Sequence, residues 1–178
     1  TPGTGSVMIE GNMIMGNQAG AGSGGGISLA FVNGADVEAN PLLSSLWHNI
    51  KLYDNIIVNN VAGRDGGGVS LHNASAVSMV HNTIAYNDST ATVAAAINPA
   101  LNGISESTPQ PGAGVASHRH TVELAAASTQ THSNPELINN IILRNRSFFW
   151  RIETLASPQI FSLVPSIANN EAPVYSDL

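Results

Sequence analysis

The sequence predicts an all-β fold, a right-handed parallel β-helix built as a solenoid. Three observations carry that prediction: a pair of Asn five residues apart that recurs four times, a small-residue triplet that follows it, and short runs that alternate apolar and polar residues. The Asn pair reads Asn12-Met-Ile-Met-Gly-Asn17, Asn55-Ile-Ile-Val-Asn-Asn60, Asn82-Thr-Ile-Ala-Tyr-Asn87 and Asn140-Ile-Ile-Leu-Arg-Asn145. The closing Asn lie 43, 27 and 58 residues apart, so a unit of 27 residues with two insertions accounts for the spacing.

The triplet comes at nearly fixed distance after the pair. It is Gly24-Gly25-Gly26-Ile27 in the first copy, Gly66-Gly67-Gly68-Val69 in the second and Ala94-Ala95-Ala96-Ile97 in the third. Gly112-Ala113-Gly114-Val115 is a further degenerate copy inside the second insertion. Runs such as Val77-Ser-Met-Val80 have period two, which is the period of a strand. No stretch carries a sustained helical stripe, and helical repeats would need far more Glu and Lys.

A stack of short parallel strands, about 4.8 Å apart, explains the composition. Inward positions form the core, so Ile14, Ile57, Ile84 and Ile142 are expected at one matching place. Corners must leave the extended conformation. Asn tolerates the left-handed region and Gly adopts it freely, so the repeated Asn are expected at the corners. Asn12, Asn55, Asn82 and Asn140 then form one hydrogen-bonded ladder, and Asn17, Asn60, Asn87 and Asn145 another. Residues 1–150 are read as coils, with insertions at about 34–48 and 98–134. In the first insertion, Leu42-Leu43 and Leu46-Trp47 are expected to fold as one helical turn against the stack. The repeat breaks down from Phe148, with Phe148, Phe149, Trp150 and Phe161 covering the end of the stack. Residues 151–178 are read as a capping or linker segment in which Pro158, Pro165 and Pro173 discourage further strands.

Apolar-x-x-Asn followed by Gly-Gly-small-apolar resembles the repeats of bacterial surface β-helix proteins, of the polymorphic outer-membrane and autotransporter-passenger type. The matching segments are Ile14 to Asn17 with Gly24 to Ile27, Ile57 to Asn60 with Gly66 to Val69, and Ile84 to Asn87. Here Ile replaces the family's Phe, and Gly-Gly-Gly replaces Gly-Gly-Ala. The resemblance implies a secreted or cell-surface location, a structural or adhesive role, and a piece of a longer chain.

Composition bounds the partners. The 178 residues carry 19 Asn and 17 Gly against a single Lys, and a net charge of -6. The six cations are Lys51, Arg64, Arg119, Arg144, Arg146 and Arg151, too few and too scattered for nucleic acid or membrane surface as the main partner. No apolar run reaches the ~18 residues of a membrane-spanning helix. Cysteine is absent, which excludes disulfides and thiolate metal sites. No cofactor motif is present, and none is expected. Surface polysaccharide or a protein ligand is the expected partner class. End-to-end self-association is a further expectation, because strand edges at the ends of such a stack invite pairing.

The alternative is a polysaccharide-acting enzyme or a carbohydrate-binding β-helix. A lyase needs a base and charge neutralisation, and a hydrolase needs two carboxylates across a sugar bond. The best candidates are Arg64, Asp65, His72 and His81. His81 aligns with Asp54, Asn139 and Gly11, so those residues should lie along one line. His118-Arg-His120 reads as a solvated loop in the second insertion. Scarcity of charge counts mildly against an enzyme.

Overall fold

The computed structural model describes residues 3–110 and 112–178. The chain is mostly β, with parallel strands in stacked sheets and no closed barrel, an arrangement consistent with a parallel β-helix. It climbs in layers. The first holds β1 (Val7–Glu10), β2 (Met13–Met15), β3 (Gln18–Ala19) and β4 (Ile27–Ala30). The second repeats the order with β5 (Ile50–Tyr53), β6 (Ile56–Val58), β7 (Val61–Ala62) and β8 (Val69–His72). The third has β9 (Val77–Val80), β10 (Thr83–Ala85) and β11 (Asp88–Ser89), then β12 (Ile104–Glu106) in an insertion, then β13 (Val115–Ser117). The fourth holds β14 (Glu136–Ile138), β15 (Ile141–Leu143) and β16 (Arg146–Ser147) before β17 (Phe149–Glu153) and β18 (Ile160–Val164). Four parallel sheets result: β1-β5-β9-β14, β2-β6-β10-β15, β3-β7-β11-β16 and β4-β8-β13.

Register matches the sequence repeat. Ile14 pairs with Ile57, Ile57 with Ile84, and Ile84 with Ile142. Ile57 and Ile84 are fully buried, in one core with Ile50, Leu52, Val69, Leu71 and Met79. Burying each such side chain contributes about 1.5–3 kcal/mol. That core is non-directional and would tolerate a slipped register of similar apolar residues. The Asn ladders are what fix it.

In the first ladder the Nδ2 of Asn12 donates to Oδ1 of Asn55 (3.2 Å), Asn55 to Asn82 (3.0 Å), and Asn82 to Asn140 (3.0 Å). In the second, Asn17 donates to Asn60 (3.0 Å), Asn60 to Asn87 (3.0 Å), and Asn87 to Asn145 (2.8 Å). The backbone N–H of each donor Asn reaches the same oxygen, as Asn60 N–H does to Asn87 Oδ1 at 3.0 Å. The second amide hydrogen goes to a backbone carbonyl, Asn87 to Ile57 and Asn145 to Ile84. A buried interior Asn therefore accepts twice and donates twice, which uses the full capacity of its side-chain amide. Asp lacks the donors. The second ladder ends on Asp177, whose Oδ1 accepts from Asn145 N–H (2.9 Å) and Nδ2 (2.8 Å). A carboxylate accepts only, so it closes a ladder without needing a further acceptor beyond it.

Backbone strain falls one residue earlier than the corner Asn expected from sequence. The left-handed positions are Gly11, Asp54, His81 and Asn139 before one ladder, and Gly16, Asn59, Tyr86 and Arg144 before the other. The ladder Asn point their side chains inward and lend their N–H to the next Asn, so the preceding residue makes the bend. The triplet is equally specific. Gly66 has φ +60°, and a Cβ on Gly68 would lie 2.5 Å from the Gly114 carbonyl oxygen and 3.0 Å from the Asn87 amide. Ala94–Ala96 meets neither demand and forms a 3-10 turn. The third copy of the triplet is Gly112-Ala113-Gly114, which leads into β13 paired with β8. The stretch 98–134 is thus divided by a strand of the stack.

The insertions meet at the side of the stack. Helices α1 (Ala35–Ala39) and α2 (Val122–Ser128) pack through Val37, Trp47 and Leu124. A 3-10 turn forms at Ser44–Leu46, but only Trp47 is buried there; Leu42, Leu43 and Leu46 are exposed. At the far end β12, β17 and β18 form an antiparallel sheet, and Val174 to Asp177 run along the last layer. Ser147 N–H donates to Val174 O and Val115 N–H to Asp177 O. At the near end no described residue pairs with the outer edge of β1–β4, and Met8, Met13 and Met15 are exposed. Among the described residues no helix is long and apolar enough to cross a membrane.

Replacing Asn87 by Ala strands the Asn60 N–H and Nδ2 and the Ile57 carbonyl together. Each buried orphan costs about 1–3 kcal/mol, so Asn87→Ala should lose more than about 3 kcal/mol in urea unfolding. Asn12→Ala, at the solvent edge of its ladder, should lose less than about 1 kcal/mol. Equal losses would sink the ladder as the element that fixes register.

Candidate functional site

The register that stacks β4, β8 and β13 also stacks the side chains at their C-terminal ends. His72 ends β8 and His118 directly succeeds β13, so the two rings sit one layer apart at 5.7 Å. Phe31 lies one layer below His72, with ring centroids 4.7 Å apart. Arg64 and Asp65 precede the second triplet on the adjoining corner. His118 Nε2 lies 2.9 Å from Asp65 Oδ1, and Arg64 Nε lies 3.6 Å from Asp65 Oδ2. These residues edge two adjoining clefts that share Arg64 and His118. One, about 900 Å³, is bounded by residues of the second insertion, among them Thr131, Ser133 and Asn134. The other, about 490 Å³, is bounded by Ser23, Ser28, Ser70, His72 and Arg119.

Three of the four residues singled out in the sequence therefore converge: Arg64, Asp65 and His72. His81 does not. It lies on another corner, 3.5 Å from Asp54 and 3.2 Å from Asn139, in the line of equivalent positions that the repeat predicts. His118 joins the site although it reads as loop by composition. The signal is present in the chain: Gly112 to His118 has the same six-residue step as Gly66 to His72. His120 turns away and is buried, its Nδ1 on the Gln130 carbonyl at 2.9 Å and its Nε2 facing Ser133 Oγ at 3.3 Å.

The electrostatics are set by burial against pairing. Burial alone would raise the Asp65 carboxyl, but hydrogen bonds from His118 and Ser23 and the charges of His118 and Arg64 hold it below its ordinary value. Burial pushes His72 down, and the positive charge of His118 and Arg64 pushes it further. His72 is then neutral at neutral pH. Asp65 orients the His118 ring and leaves Nδ1 without a hydrogen-bond partner among the described residues. An imidazole held this way can bind an acceptor or move a proton. Paired-carboxylate hydrolysis lacks its second member, since Asp65 is the only Asp or Glu bounding the clefts among the described residues. No group of three or more His, Asp or Glu is placed to hold a metal ion among the described residues.

No protein-family model, curated protein or solved structure matches this chain. The site stands on its own geometry. Asn73-Ala-Ser75, Asn87-Asp-Ser89 and Asn145-Arg-Ser147 match the glycosylation sequon, but all three Asn are buried, and Asn87 and Asn145 belong to the ladder.

The shifted groups define two pH windows. His120 is lowered by burial, as His72 is, so the unfolded chain takes up protons near pH 6.5 while the folded chain resists them. Stability is therefore complete above about 6.5 and falls below it. Asp65 has the usual carboxylate sign: its contribution is present above about pH 3.9 and is lost as pH falls through its depressed folded value. Urea midpoints measured from pH 8 to pH 2 should decline in both windows. Asp65→Asn should make the acidic decline shallower and leave the upper one. Asp36 carries the rest of the acidic decline: burial alone would raise its carboxyl, but hydrogen bonds from Gly34, His48 and Asn33 hold it below its ordinary value. An Asp65→Asn profile parallel to wild type throughout would refute this account of Asp65.

Proposed function

We propose that the chain is a segment of a right-handed parallel β-helix from a secreted or cell-surface bacterial protein, with a structural or adhesive role. It is a rigid spacer that presents its insertions and one lateral face. The observation that carries this reading is the pair of Asn ladders that run unbroken through every layer and are buried in the interior of the stack. Such ladders resist lateral shear and set a fixed distance between layers, which is what a spacer needs. The packing of α1 on α2 supports presentation, because it holds both insertions on the same side of the stack.

End-to-end association through the open edge of β1–β4 belongs to this reading. Residues 174–177 cover the last layer only beside β13 and β16. Among the described residues β14 and β15 end their sheets without a further partner, so copies meet through their first layers or stack first layer on last. Light scattering should then give a mass above the 18.4 kDa monomer at high concentration. A monodisperse monomer throughout the range counts against it.

A second reading is favoured by one observation, the convergence of Arg64, Asp65, His72 and His118. It makes the chain a carbohydrate-acting or carbohydrate-binding protein. Incubation with neutral and acidic polysaccharides separates the readings. The spacer should release no new reducing or unsaturated ends. Release that disappears in His118→Ala would replace the structural reading with an enzymatic one.

A further inference from the structure

We propose that the lateral cleft between Arg64, His72, His118 and Arg119 binds an acidic saccharide, with its carboxylate or sulfate held between the two guanidinium groups. The inference deepens the second, carbohydrate-binding reading of this site and rests on that reading.

Charge distribution points to an anion. The chain carries -6 overall, yet this cleft is locally cationic. Of the six Lys and Arg, Arg146 is held by Asp88 at 2.7 Å and Arg151 by Glu106 at 2.6 Å. Lys51 and Arg144 do not bound the cleft, whereas Arg64 and Arg119 both do. The one Asp or Glu bounding the two clefts among the described residues is largely spent. The Asp65 side chain is 8% exposed and is already engaged by His118, Ser23 and Arg64. Arg64 keeps half of its side chain exposed, at 53%. Its planar donor fork matches a carboxylate or sulfate.

Shape and lining chemistry point to a sugar. Ser23, Ser28 and Ser70 bound the cleft, with Ser28 exposed, Ser70 buried and Ser23 engaged with Asp65. Phe31, 43% exposed, continues the His72 and His118 column as a flat apolar ring. A sugar ring has one face for such an aromatic ring and a rim of hydroxyls for Ser28. A nucleic acid fits poorly, because two cations on an acidic chain cannot offset a phosphate polymer.

The test is calorimetric titration of the intact chain. The probes are a galacturonate oligomer, a heparin-derived oligosaccharide of similar length and a neutral xylose oligomer. An acidic probe should bind and weaken as salt rises, while the neutral oligomer should not bind. Binding of galacturonate alone assigns a carboxylate ligand, and binding of the heparin fragment alone assigns a sulfated one; either supports the site. Arg64→Gln and Arg119→Gln should each weaken binding about tenfold, or about 1.4 kcal/mol. Arg144→Gln, away from the cleft, should bind like wild type, and circular dichroism of each variant should stay native. The proposal fails if no acidic probe binds, if the neutral oligomer binds as well, or if Arg144→Gln weakens binding as much as the cleft variants. Binding of the neutral oligomer as well overturns the acidic ligand but keeps the carbohydrate-binding reading, whereas binding of no probe counts against both. Failure here leaves the spacer reading intact.

Discussion

Every layer of this protein depends on one interaction, the side-chain amide of a buried Asn saturated by its copies above and below. Apolar burial supplies most of the driving force, but it has no direction. A strand slipped by two residues would still turn its apolar side chains inward. An Asn out of register would leave several strong hydrogen-bonding groups unsatisfied in a low-dielectric interior, at about 1–3 kcal/mol each. The core therefore makes the stack favourable and the ladders make it single-valued.

The ladders also explain the glycines. The Asn87 amide sits against Gly68, and the Asn145 amide against Gly114, each at the distance where a Cβ would collide. The two repeated motifs are thus two halves of one contact between adjacent layers. This coupling accounts for their nearly fixed separation in the chain. It also accounts for the end of the stack: Asp177 offers the acceptor that a further Asn would have offered, and asks for nothing in return.

The cleft is a consequence of the same register. Once Gly66 and Gly112 occupy equivalent places, His72 and His118 must fall one layer apart, and the Arg64-Asp65 corner is brought beside them. Much of this was legible in the chain. The Asn pairs, the aligned Ile and the line through Asp54, His81 and Asn139 are all local repeats, and local repeats survive translation into structure. Three features were hidden. Ala94–Ala96 has the right distance from Asn87 but lacks the left-handed freedom of Gly66, so distance alone misplaces the third triplet. The left-handed bend falls before each ladder Asn, because the Asn side chain is drawn inward. His118 lies far from Asp65 in sequence, and a long polar insertion masks its equivalence to His72.

By itself, the sequence determined the layer unit, the strand register and the identity of the residues that lock it. Those depend on periodic demands that every layer imposes alike. Only the tertiary structure decided which strand of the long insertion joins the stack, that Asp177 closes the ladder, and that Arg64, Asp65, His72 and His118 share a cleft while His81 does not. These are meetings between residues of different layers and insertions. Their outcome is set by where the chain returns after each excursion, which a local pattern such as the degenerate Gly112 triplet marks only in part.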